Sequence, residues 1–118
     1  MSSSEQQAAL AEKVRSYLED NIKGRLTIAG VAKEFHISET QLKNVFRNVF
    51  GCPVATWIRR RKMEEAAKLL GTENLTILEV AGIYGYDNGS KFARAFKSSM
   101  KLTPSAYRRA YRAGKLDT

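Results

Sequence analysis

Apolar positions along this chain recur at helical spacing, in stretches separated by glycine, proline and capping residues. Leu10, Val14, Tyr17, Leu18 and Ile22 fall on one helical face, behind a capping-box pattern, Ser4-Glu5-Gln6-Gln7. Gly24 is a natural stop. Thr27 opens a short helix with Ile28, Val31, Ala32 and Phe35 on its apolar stripe. Ser38-Glu39-Thr40-Gln41 is a second capping-box pattern, ahead of a helix that points Leu42, Val45, Phe46, Val49 and Phe50 inward and ends at Gly51. Pro53 suits a first helical turn, and a long helix follows to Leu70, with Gly71 as its expected cap.

The pattern then returns. Leu75-Thr76-Ile77 echoes Leu26-Thr27-Ile28, Val80-Ala81 echoes Val31-Ala32, and Tyr84 echoes Phe35. After one extra residue at the turn, Phe92, Phe96 and Met100 echo Leu42, Phe46 and Phe50, Lys97 echoes Arg47, and Tyr107 echoes Trp57. A repeat of this kind means one supersecondary unit used twice. Each copy is a short helix, a tight turn (His36-Ile37-Ser38, then Gly85-Tyr86-Asp87) and a capped helix. That order describes a helix-turn-helix, which presents its second helix to a DNA major groove. The expected fold is therefore all-α. It has about seven helices, in a first helix-turn-helix subdomain over 4–52, a linker helix over 53–71, a second subdomain over 72–113 and a tail over 114–118. The reading helices are expected at about 39–50 and 88–100.

Composition sharpens this. Of 118 residues only two are proline, 43% are hydrophobic, and the formal net charge is +8. A small folded domain this basic usually meets a polyanion, nucleic acid first among them. Cys52 is the only cysteine, which excludes an internal disulfide and suits a reducing cytoplasm, and Cys52 with His36 cannot supply a four-ligand zinc site. No run approaches the roughly 18 apolar residues of a membrane span, and the N-terminus lacks the order of a signal peptide. Paired carboxylates, a nucleophile with its base, and a glycine-rich phosphate loop are all missing as patterns. The expectation is a cytoplasmic non-enzyme without cofactor or metal.

The polar faces of the two reading helices carry the candidate chemistry. Thr40, Lys43, Asn44 and Arg47 lie opposite the first apolar stripe, and Lys91, Arg94, Lys97 and Lys101 lie opposite the second. Between Asn88 and Leu116 there is no acidic residue. A solvated face ordinarily mixes signs, so a one-signed face points to a polyanion. Lys43 and Arg94 suit guanine O6 and N7, Asn44 suits adenine, and Thr40 suits a thymine methyl or a base edge. Gly89 and Ser90 allow close approach at the start of the second helix. Arg47, Asn48, Asn88 and Lys97 are better placed for phosphates, which set register. Arg59-Arg60-Arg61-Lys62 either touches the DNA backbone or pairs with Glu64, Glu65 and neighbours. The linker helix, about 27 Å long at 1.5 Å per residue, is expected to hold two reading heads for grooves about 34 Å apart.

The second half strongly resembles the signature of the AraC/XylS family of bacterial transcription regulators. The matching residues are Ile77-Leu78-Glu79-Val80-Ala81, Tyr84-Gly85-Tyr86, Phe92-Ala93-Arg94-Ala95-Phe96-Lys97 and Thr103-Pro104-Ser105-Ala106-Tyr107-Arg108. The first half resembles the family's first unit through Val31-Ala32, Ser38, Leu42, Phe46-Arg47, Phe50-Gly51 and Arg61-Lys62-Met63. The resemblance implies promoter binding on double-stranded DNA, usually as an activator that meets RNA polymerase. It places base reading at Thr40, Lys43, Asn44, Gly89, Ser90, Lys91 and Arg94. Backbone contacts are expected from Ser38, Arg47, Asn48, Arg60, Asn88, Lys97, Lys101 and Arg108. Lys101 departs from the family, which usually has glycine there; it either extends the helix or takes a left-handed turn at some cost. The chain reads as a stand-alone member or as the C-terminal part of a longer regulator. The isolated chain is expected to be monomeric, with dimerisation left to a sensing domain. Competing readings are an architectural or RNA-binding protein that uses charge without sequence preference, and a helical protein-interaction module.

Overall fold

Seven helices account for most of residues 3–116, which are the residues described by a computed structural model of the chain. They are α1 (Ser3–Asp20), α2 (Ile28–Glu34), α3 (Glu39–Phe50), α4 (Val54–Thr72), α5 (Ile77–Ile83), α6 (Gly89–Met100) and α7 (Pro104–Arg112). No strand occurs among the described residues, so the all-α expectation holds. Residues 117 and 118 of the expected tail lie outside them.

Two compact units share these helices. The first comprises residues 1–22 and 26–58, the second residues 23–25 and 59–118. Val14, Leu18, Val31, Leu42, Phe46, Val54 and Ile58 form the first core, with Phe35 and Trp57 packed against it. Met63, Ala66, Leu70, Val80, Tyr84, Phe92 and Phe96 form the second, joined by Tyr107. The aromatic echo is kept in space. Phe46 meets Trp57 edge-on at 5.9 Å between ring centroids, and Phe96 meets Tyr107 edge-on at 5.5 Å. Such contacts add about 0.5–1.5 kcal/mol to the area they bury.

Caps set the helix starts. Side chains of Thr27, Ser38, Thr76, Asn88 and Thr103 each accept an amide hydrogen bond from the first turn of α2, α3, α5, α6 and α7. Each such cap is worth about 1 kcal/mol. The complete capping box is Thr76 with Glu79, a pattern the sequence analysis passed over. Ser4 lies inside α1 rather than at its cap, because that helix already includes Ser3.

Three further positions depart from expectation. Gly71 is not a cap: α4 continues to Thr72, and the Tyr111 ring occupies the place where a Cβ on Gly71 would stand, 2.6 Å from ring atoms. Val49 is 38% exposed, since it lies at the edge of the α3 stripe. Lys101 ends α6 in a left-handed conformation, φ 72°, matching Gly51 at the end of α3, φ 76°. The mirror case is the turn, where His36 has φ 55° and Gly85 has φ 85°. At the turn and at the helix end each unit thus places one glycine and one non-glycine residue in left-handed backbone, and the second unit adds Gly24 and Gly114. Left-handed backbone costs a residue with a Cβ about 1–2 kcal/mol.

In the second unit, residues 23–25 lie against the α5–α6 turn. The Gly24 amide donates to the Ile83 carbonyl at 2.7 Å, and a Cβ on Gly85 would fall on the Gly24 carbonyl oxygen. Lys62 is buried and donates its ammonium to the carbonyls of Gly24 and Tyr84, the latter at 3.2 Å. Burial pushes the Lys62 ammonium down to about 8, against the opposing pull of Glu65. Burial first, then the Glu65 carboxylate, pushes the Tyr84 hydroxyl up to about 12.

Two predictions follow from these contacts. Lys101→Gly should raise the unfolding free energy by up to about 1 kcal/mol, as relief of the left-handed backbone outweighs glycine's entropy cost; Gly85→Ala should lower it by more than that. Chemical denaturation of both variants beside the parent reads the two signs. Separately, folding disfavours the charged form of Lys62, so the folded state binds fewer protons between pH 8 and 10. Lys62 therefore adds stability as pH rises through that window. Tyr84 keeps its proton in the fold, so its contribution is lost above pH 10. Urea titrations from pH 7 to 11 should show the rise abolished in Lys62→Met and the later loss reduced in Tyr84→Phe.

Candidate nucleic-acid interface

The buried stripes of α3 and α6 settle which side of each helix meets solvent. Leu42, Val45 and Phe46 are buried on α3, as are Phe92 and Phe96 on α6. Away from them, Thr40, Lys43, Asn44, Arg47 and Asn48 are all exposed, and so are Ser90, Lys91, Arg94 and Lys97; Gly89, the first residue of α6, is exposed on the side of the stripe. On the first unit the polar face of α3 is flanked by two depressions. One, of about 590 Å³, separates α3 from α1 and is lined by Gln6, Gln7, Thr40, Asn44 and Asn48 among others. The other, of about 250 Å³, runs between Lys43, Asn44, Arg47 and the start of α4 at Pro53–Ala55.

The N-caps leave donors free to face an anion. The Ser38 hydroxyl oxygen accepts from the Gln41 amide at 3.0 Å, and its own proton is not used by that bond. Asn88 accepts from the Lys91 amide through Oδ1 at 3.0 Å, a bond that does not involve its side-chain NH2. Both stand where the helix macrodipole favours negative charge.

The basic cluster on α4 divides. Arg61 pairs with Glu64 at 3.0 Å and Glu65 at 3.2 Å, and Lys62 is buried, whereas Arg59 and Arg60 are exposed. Arg108 has partners within the fold. Expected on the DNA backbone, it is half-buried, with Nε donating to the Leu70 carbonyl at 2.9 Å and Nη2 donating to the Leu75 carbonyl. Its guanidinium holds α7 to the end of α4 and the loop before α5. These bonds use two of the five N–H donors of the guanidinium. No signal in the local sequence marks this, because its partners lie 38 and 33 residues away. Lys101 is exposed at the end of α6. Among the described residues no cluster of histidine, cysteine, aspartate and glutamate could hold a metal, and no helix is long and apolar enough to cross a membrane.

A family model described as a helix-turn-helix domain matches residues 31–110, which takes in α3 through α6 and most of α7. The transcriptional activator AarP of Providencia stuartii is 34% identical over 102 residues, covering 86% of this chain and 76% of that protein. The chain belongs to the AraC family of transcription regulators. It is accordingly a DNA-binding transcription regulator. Two solved AraC-family-like folds are similar throughout. The C-terminal domain of the response regulator AraT from Geobacillus stearothermophilus is 31% identical, with a TM-score of 0.81 over 85% of this chain and 84% of that one. The DNA-binding domain of AdpA, solved with a target DNA, is 25% identical, with a TM-score of 0.80 over 89% of this chain and 95% of that one.

Arg108→Ala should therefore behave as a stability mutation in this AraC-family domain. It leaves two carbonyls without their charged donor, a loss of about 1–3 kcal/mol. The slope of DNA affinity against salt should stay where it is, whereas a true phosphate contact would lower it by about one unit. Denaturation and salt titration of the same variant separate the two.

Proposed function

We propose that this AraC-family chain binds promoter DNA in the cytoplasm and activates transcription, setting α3 and α6 into successive major grooves of one site. Thr40, Lys43 and Asn44 read bases from α3, and Gly89, Ser90, Lys91 and Arg94 read them from α6. Ser38, Arg47, Asn48, Arg60, Asn88, Lys97 and Lys101 hold phosphates. The observation that carries this is the common exposure of Thr40, Asn44 and Arg47 on α3 and of Ser90, Lys91, Arg94 and Lys97 on α6, away from the buried Phe46 and Phe96. Two reading helices on one chain make a single chain sufficient for an asymmetric site of roughly 15–20 base pairs, since grooves repeat about every 10. The activator reading is supported by the name of AarP, and double-stranded DNA by the AdpA complex with its target. An activator of this kind meets RNA polymerase at the promoter.

Selection of bound fragments from a random duplex pool tests the reading; a pool that enriches no motif overturns it. On the selected site, Arg94→Ala should cost about 1–3 kcal/mol, and the loss should shrink on scrambled DNA. Lys97→Ala should weaken both duplexes by similar factors and lower the salt slope by about one unit. Equal losses for the two variants on both DNAs would make Arg94 a phosphate contact and remove the second reading head.

A further inference from the structure

The two units carry very different charge. Residues 1–22 and 26–58 hold five lysines and arginines against six acidic residues, while residues 23–25 and 59–118 hold fifteen against six. The whole basic excess of the chain therefore belongs to the second unit. The contrast persists at matched positions on the two reading helices, which share capping, length and left-handed termination. Glu39 corresponds to Gly89, Gln41 to Lys91, Asn44 to Arg94 and Gly51 to Lys101. All eight residues are exposed, and each step from first unit to second raises the net charge by one: three add a cation and one removes a carboxylate. Arg47 and Lys97 are equal, and only Lys43 against Ala93 runs the other way. Beyond α6, Arg109, Arg112 and Lys115 are also exposed.

We infer that the two units divide the work on DNA unequally: the second, besides its base contacts, supplies most of the phosphate-borne hold on any duplex, and the first engages only where the bases fit. The inference rests on the DNA-binding reading above. Non-specific affinity comes from counterions released by lysine and arginine, so it follows the distribution of cations. The first unit offers Lys43 and Arg47 on its reading face beside an exposed carboxylate, Glu39. Glu39 complements the α3 macrodipole and repels phosphate from the end of the helix that enters the groove. With so little electrostatic attraction of its own, the first unit depends on base contacts from Thr40, Lys43 and Asn44 for its hold. A mismatch under the first unit therefore leaves that unit with almost nothing to bind, whereas the second keeps its phosphate contacts on either sequence.

The test uses the full chain, a selected site and a scrambled duplex of equal length, with affinity measured from 50 to 300 mM salt. Two charge-neutralised pairs are compared, Lys97→Gln with Arg109→Gln in the second unit and Lys43→Gln with Arg47→Gln in the first. The second-unit pair should weaken both duplexes by the same factor and lower the salt slope on each by about two units. The first-unit pair should weaken the selected site at least tenfold more than the scrambled one. Glu39→Gln should tighten scrambled DNA severalfold at low salt and so narrow the discrimination. Equal losses for the two pairs on scrambled DNA overturn the division of work and leave the regulator reading standing. No loss for either pair on either duplex overturns both.

Discussion

One buried ring in each unit governs the rest. Phe46 and Phe96 are fully enclosed at matching places on α3 and α6, each held edge-on by an aromatic from the following helix, Trp57 or Tyr107. Rotating either helix would bring that ring to water and bury a lysine or arginine instead. The first change costs about 1.5–3 kcal/mol, and an unpaired buried charge costs more. The exposed polar faces are therefore a consequence of how the cores close.

The same logic explains why the repeat could diverge so far in charge without losing its shape. Both α3 and α6 start on a capping oxygen, run twelve residues and end in a left-handed residue whose amide donates to the carbonyl four back. Those features are set by the backbone and the apolar stripe. The outward positions carry none of that burden, so Asn44 and Arg94 occupy equivalent places without altering either core. Strain moved as well: the first unit keeps its glycine at the helix end and the second keeps it at the turn.

Periodicity and capping chemistry made most of the architecture legible from the chain alone, because both act within a few residues. The bounds of α3 follow from Ser38 and Gly51, and the faces of α3 and α6 from the spacing of Leu42, Phe46, Phe92 and Phe96. What local patterns missed are bonds between distant residues. Local sequence groups Lys62 with Arg59, Arg60 and Arg61 as a cluster for the DNA backbone or for Glu64 and Glu65, yet it is buried under carbonyls supplied by Gly24 and Tyr84. Arg108 matched a family motif, yet its guanidinium belongs to Leu70 and Leu75. A basic side chain near the reading face can serve the fold as readily as the DNA, and only its carbonyl partners distinguish the two.

Gly71 and Tyr111 form a lock across 40 positions of sequence. A propensity scale would rank glycine inside α4 as a weakness to be repaired with alanine. An exposure scale would rank Tyr111, 42% exposed, as a dispensable aromatic. The ring lies in the space that the missing methyl leaves, stacked on Tyr107 with 6.5 Å between centroids. The size of residue 71 and the ring at 111 are thus coupled: any side chain at 71 would force the ring to move, whereas a smaller residue at 111 would leave a gap beside Gly71.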